Sequence, residues 1–215
     1  MGRCLEVVKN YESGTHGFQY HKRIRRIVMA ELKAKISLKS KGDEAYIPIK
    51  QLMVTLKWSA NVDLDLMVFY KTKDGRTGGI FTDQLGGSLG TLNEFPFIQH
   101  TGDEGVGGAG GDKQETLRIA KLDEIAEIYI ITLNYTDASQ RLESAFSKYD
   151  GGIVIMDDKG ESFSVHLNSP DKGTVALIAK IDNTNPMGPK LINENRIMDL
   201  ETFVSTIPAG NLLTK

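Results

Sequence analysis

The run NVDLDLMVFY, Asn61 to Tyr70, has a period of two. Val62, Leu64, Leu66 and Val68 leave one face of an extended chain, and Asp63 and Asp65 leave the other. Residues two apart on a strand project their side chains about 7 Å from one another, so the two carboxylates stand side by side and repel. Aspartate is also disfavoured in strands. Further along, Met67 and Phe69 turn the aspartate face apolar, so that face does not stay wet. The run therefore reads as a core strand with an acidic pair at its start, close to a loop.

Period two continues outward from this run. LMVTLKW places Leu52, Val54, Leu56 and Trp58 on one face, with Thr55 and Lys57 opposite. Residues Ala34–Ile49 read as strand, turn at Lys41–Glu44, strand. KTKDGRTG carries Asp74-Gly75, a hairpin signal. Glu127–Tyr135, Gly151–Leu167 (with its own turn at Asp158–Gly160) and Gly173–Asp182 complete the set. Short helical turns are expected near Lys121–Ala126 and Ala138–Ser147. Frequent short strands without long amphipathic helices between them predict an all-β fold, an antiparallel β-sandwich with short helical turns.

This divides the chain into a basic N-terminal arm over 1–33, disordered or helical, a sandwich over 34–184, and a C-terminal extension over 185–215. Within that extension RIMDLETFVSTI is expected to form a short helix. The net charge of −2 hides an asymmetry: residues 1–41 hold ten Lys/Arg and three acids, +7, which leaves −2 − 7 = −9 for the remainder. HKRIRR (His21–Arg26) is the densest basic run. A solvated flank is the favoured reading of it, and nucleic acid is not a favoured partner; tethering to an anionic surface is the competing one. The lone Cys4 excludes a disulfide framework. No apolar run is long enough to span a membrane, and the N-terminus lacks the features of a signal peptide. The expectation is a cytoplasmic protein.

The second informative segment is HTGDEGVGGAGGDKQET, His100 to Thr116. Six glycines among two acidic pairs make a loop that is hard to order alone. Gly105–Gly110 satisfies the dinucleotide pattern G-x-G-x-x-G, but no helix pattern follows and the flanking acids repel phosphate. Gly86–Gly90 around Ser88 satisfies G-x-S-x-G, yet the strand-to-helix setting that activates such a serine is missing. Gly107–Asp112 matches the start of a calcium-binding nonapeptide in a single copy, whereas those repeats bind between stacked copies. The four histidines, His16, His21, His100 and His166, are scattered, which disfavours zinc, although His100 adjoins the acidic loop.

Six carboxylates, Asp63 and Asp65 from the strand and Asp103, Glu104, Asp112 and Glu115 from the loop, can converge on one hard cation. Calcium takes 6–8 oxygens and accepts backbone carbonyls that glycines turn inward. Magnesium demands a stricter octahedron. One or two Ca²⁺ ions are thus the expected cofactor, with the strand aspartates as the rigid wall.

These stretches also resemble a known family. VTLKWSANVDLDLMVFYKTKDG followed by FPFIQHTGDEGVGGAGGDKQETLRI is similar to the TerD domain of tellurite-resistance and stress proteins. LGGSLGTLNEFPFIQ, ITLNYTDASQRLESAF and GIVIMDDKGE place it nearest the TerA-like branch, over about Ile47–Asp182. The resemblance implies a calcium-binding β-sandwich without enzymatic activity. Its acidic ligand positions fall on the same six residues. It also implies partners among other stress-resistance proteins, membrane-associated ones included, that would recruit the chain to the inner face of the membrane. The run Gly107–Gly111 departs from TerD itself, where the segment is richer in acids, and leaves the ion count open. Exposed sheet edges leave self-association open. The competing class is a metal-assisted hydrolase using the same acids with Ser88 or water.

Overall fold

The computed structural model describes residues 34–47, 51–101 and 113–214. The expected N-terminal arm lies outside them. The described residues form a β-sandwich of two sheets. Strands β1 (Lys35–Leu38), β3 (Leu52–Trp58), β6 (Gly90–Thr91), β7 (Ile98–His100), β8 (Lys113–Ile119), β10 (Gly152–Asp157) and β11 (Ser162–His166) make sheet A, in the order β1-β11-β10-β3-β8-β7-β6. Strands β2 (Glu44–Tyr46), β4 (Leu64–Thr72), β5 (Thr77–Ile80), β9 (Ile125–Asn134), β12 (Val175–Asp182) and β13 (Lys190–Met198) make sheet B, in the order β2-β13-β12-β9-β4-β5. All pairings are antiparallel except β1 with β11.

The period-two reading of β3 and β4 accounts for the core. Leu52, Val54, Leu56 and Trp58 from sheet A meet Leu64, Leu66, Val68 and Tyr70 from sheet B in one buried cluster. Met67 and Phe69 point out of the other face of β4 and are fully buried all the same, because helix α2 (Leu200–Thr206) covers that face. The Phe203 ring packs edge-on to Phe69, with centroids 5.2 Å apart, and Phe81 stacks on Phe69 at 5.6 Å. Asp199 caps α2: its Oδ1 accepts the Thr202 amide at 2.6 Å, and that hydrogen bond holds its carboxyl below the usual range.

Three local expectations meet a different structure. The segment after 184, expected as an extension, supplies β13, which lies between β12 and β2 inside sheet B. Its inward positions are Leu191, Asn193, Asn195 and Ile197, and the two asparagines mask the apolar period. Asn193 is 1% exposed and donates from Nδ2 to the Leu38 carbonyl of sheet A at 2.9 Å, so a buried amide ties the sheets together. Lys121–Ala126 is a turn running into β9 rather than a helical one. The turn expected within Ala138–Ser147 begins earlier, as α1 (Tyr135–Gln140), because Asn134 Oδ1 accepts the Asp137 amide at 3.0 Å and caps it there. The two DG/DKG turns form as expected, with Gly75 at φ +90° and Gly160 at φ +79°.

Candidate metal site at the open end of the sandwich

The connection from β3 to β4, residues 59–63, carries the chain from sheet A to sheet B at one end of the sandwich. Its shape is held from the Val62 carbonyl, which accepts the Trp58 indole Nε1–H at 2.9 Å and the Lys113 ammonium at 3.3 Å. Lys113 also donates to Asn61 Oδ1 at 3.2 Å and is only 8% exposed. A buried ammonium needs such acceptors.

Asp63 follows immediately and is half-buried. Its backbone is fixed from α1: its amide donates to Thr136 Oγ1 at 2.9 Å, and its carbonyl accepts the Tyr135 amide at 3.0 Å. Asp65 is the second residue of β4, opposite Leu133, and is 6% exposed. The pair thus sits where the sequence places it, at the start of the strand, with Asp65 drawn inside.

Glu115 reaches the same place from the other sheet. On β8 the buried positions are Lys113, Glu115, Leu117 and Ile119, so Glu115 faces inward at 2% exposure. Strand β5 pairs with β4 only from Val68 onward, which leaves the amide of Leu66 at an open strand edge. Glu115 Oε2 accepts that amide at 2.5 Å. The amide belongs to the peptide that joins Asp65 to Leu66, so carboxylates from both sheets flank one peptide unit. His100, 2% exposed at the end of β7, places Nε2 3.6 Å from Glu115 Oε2.

Asp103, Glu104 and Asp112 lie outside the described residues. The segment that carries them joins β7 to β8, and its stems stand at this end: the Thr101 amide donates to the Thr116 carbonyl at 3.0 Å. Among the described residues no group of three or more His, Cys, Asp or Glu side chains is close enough to hold a metal ion. The described residues alone therefore make no metal site. The donors of Asp63, Asp65 and Glu115 are hard carboxylate oxygens, which fit calcium or magnesium far better than a thiophilic metal. Lys113 and Thr136 escape a reading of the sequence. The inward period of β8 could have marked Lys113; nothing local marks Thr136.

A second polar cluster lies beside the first. Asp137 Oδ2 accepts from Tyr149 Oη at 2.9 Å, Ser144 Oγ at 2.9 Å and Asn134 Nδ2 at 3.0 Å. Burial, reinforced by the Asp137 carboxylate, pushes the Tyr149 phenol above its ordinary pKa. Ser88, by contrast, is exposed in the loop before β6, and a strand rather than a helix follows it. The geometry of an activated serine on a strand-to-helix turn is absent there.

No model of a known protein family matches the chain, and no curated protein sequence does. Two solved structures are similar. One is the crystal structure of a homologue of the telluride resistance protein TerD from Streptomyces coelicolor A3(2), with TM-score 0.50 and 18% identity, covering 71% of this chain and 92% of that one. The other is the crystal structure of a protein of unknown function, with TM-score 0.49 and 12% identity, covering 70% of this chain and 92% of that one. The described residues thus define an all-β sandwich, and its fold is TerD-like. Among the described residues no helix is long and apolar enough to cross a membrane.

Proposed function

We propose that this protein is a calcium-binding, non-enzymatic module of a bacterial stress-response system of the tellurite-resistance type. In this reading it works in the cytoplasm as a scaffold within a multiprotein complex that includes membrane-associated members. The observation that carries the reading is that Glu115 of sheet A accepts the amide of Leu66, the residue that follows Asp65 in sheet B, while Asp103, Glu104 and Asp112 belong to the segment that joins β7 to β8. Carboxylates withdrawn from water on facing sheets favour a cation, since a buried charge is costly without a partner. Asp63, Asp65 and Glu115 would supply the fixed oxygens, and the loop acids would supply the rest. A bound ion would order the glycine-rich loop and stabilise the fold by mass action. The likeness to the TerD homologue supports the assignment at the level of fold.

The test is a calorimetric titration of chelator-stripped protein with calcium and then with magnesium, alongside thermal melts. Saturable calcium heat with a raised melting temperature, and a Kd weakened roughly tenfold or more by Asp65→Asn, is the expected result. Absence of heat and of any melting shift would remove the calcium reading and leave the fold assignment standing.

A further inference from the structure

The two outer faces of the sandwich are treated differently. The outer face of sheet B is covered by α2 and its apolar cluster, whereas the outer side chains of sheet A face solvent among the described residues. The outward positions of β1, β3, β8, β10 and β11 carry Lys35, Lys57, Arg118 and His166, and no Asp or Glu. Lys57, Arg118 and His166 of this face belong to residues 42–215, whose formal charge is −2 − 7 = −9. Lys35, Lys57 and Arg118 make no ion pair among the described residues. Level with Arg118, Met53 and Met156 are paired neighbours, 36% and 38% exposed, and Thr55 and Thr116 lie in the row between Arg118 and Lys57. With Leu92 and Arg118 the two methionines line a groove of about 260 Å³, whose lining also includes Asp157 and Asp158.

We propose that this face is a docking surface for an acidic protein segment, which sets its carboxylates on Lys57 and Arg118 and an aliphatic side chain in the groove between Met53 and Met156. Methionine adapts to varied apolar shapes, and unpaired surface cations select an acidic partner by charge complementarity. A second copy presenting the same face would set cation against cation. A membrane calls for a denser cationic cluster or interfacial aromatics, and neither is found here.

The probe is a synthetic peptide of alternating glutamate and leucine, added to the full chain labelled with ¹³C at its methionine methyls. Shifts at Met53 and Met156 but not at the fully buried Met67 are expected, weakening with salt. Lys57→Glu with Arg118→Glu should weaken binding roughly tenfold or more while leaving the melting temperature in place. Silence at Met53 and Met156, or shifts that survive the double charge reversal, would overturn the proposal. So would the same methyl shifts produced only by phosphatidylserine vesicles, which would make this a membrane face, or by raising the protein concentration alone, which would make it a self-contact.

Discussion

Two acidic clusters share one end of this sandwich. Around Asp137 the neighbours are neutral donors from the chain itself: a phenol, a hydroxyl and an amide converge on one carboxylate. Around Asp65 and Glu115 the neighbours are further charged or titratable groups, with Asp63 just before the same strand, His100 beside Glu115, and the stems of an acid-rich segment alongside. The same residue type thus serves two ends. A carboxylate enclosed by its own donors holds the fold together, whereas carboxylates gathered from separate strands would, in the function proposed above, serve a cation.

The largest effect is expected from Asp137→Ala, which strands three donors. Each unsatisfied buried polar group costs about 1–3 kcal/mol, so chemical denaturation in chelator should show a loss of about 3 kcal/mol or more. The number of calcium ions bound should not change. Loss of calcium binding with intact stability would merge the two clusters into one site.

Asp65→Asn should do the opposite. Its calcium Kd rises roughly tenfold, about 1.4 kcal/mol, while stability in chelator holds or increases because one of two neighbouring charges is gone. A destabilised Asp65→Asn protein with unchanged affinity would make Asp65 structural.

Tyr149→Phe removes one donor to Asp137 and should cost about 1 kcal/mol. Because burial raises the phenol's pKa in the folded state, its contribution is fully present below the ordinary tyrosine pKa and is lost as pH rises through the raised value. Melting temperatures of wild type and Tyr149→Phe should therefore converge at strongly alkaline pH.

The smallest effect belongs to Thr136→Val, which joins the two regions through the Asp63 amide. Calcium affinity should fall by less than about tenfold and recover in Thr136→Ser. An identical loss in the serine and valine variants would point to repacking of α1 rather than to the hydroxyl.

Much of the fold was legible because alternation is a strong signal where one face is buried. The β3 and β4 runs name their own core residues, and Met67 and Phe69 disclosed that the aspartate face is covered. What covers it was legible only as a helix in RIMDLETFVSTI, since docking depends on Phe203 meeting Phe69 across the chain. β13 was hidden by Asn193 and Asn195, whose burial depends on carbonyls supplied by distant strands. The site was half legible. Asp63, Asp65 and Glu115 stand out by type and spacing, but that Glu115 meets the Asp65–Leu66 peptide follows from where β5 stops pairing. Thr136 acts on a backbone amide, and such a role leaves no pattern in a sequence.

In the proposed function the carboxylates at the Trp58 end hold calcium. Trp58 is the single tryptophan, and its indole holds the very turn that delivers Asp63. Terbium, a luminescent mimic of calcium, should therefore emit when Trp58 is excited at wavelengths beyond tyrosine absorption. Emission that calcium displaces, and that Asp65→Asn weakens, is the predicted result. Terbium emission that persists unchanged in Asp65→Asn, or no sensitised emission at all, would contradict it.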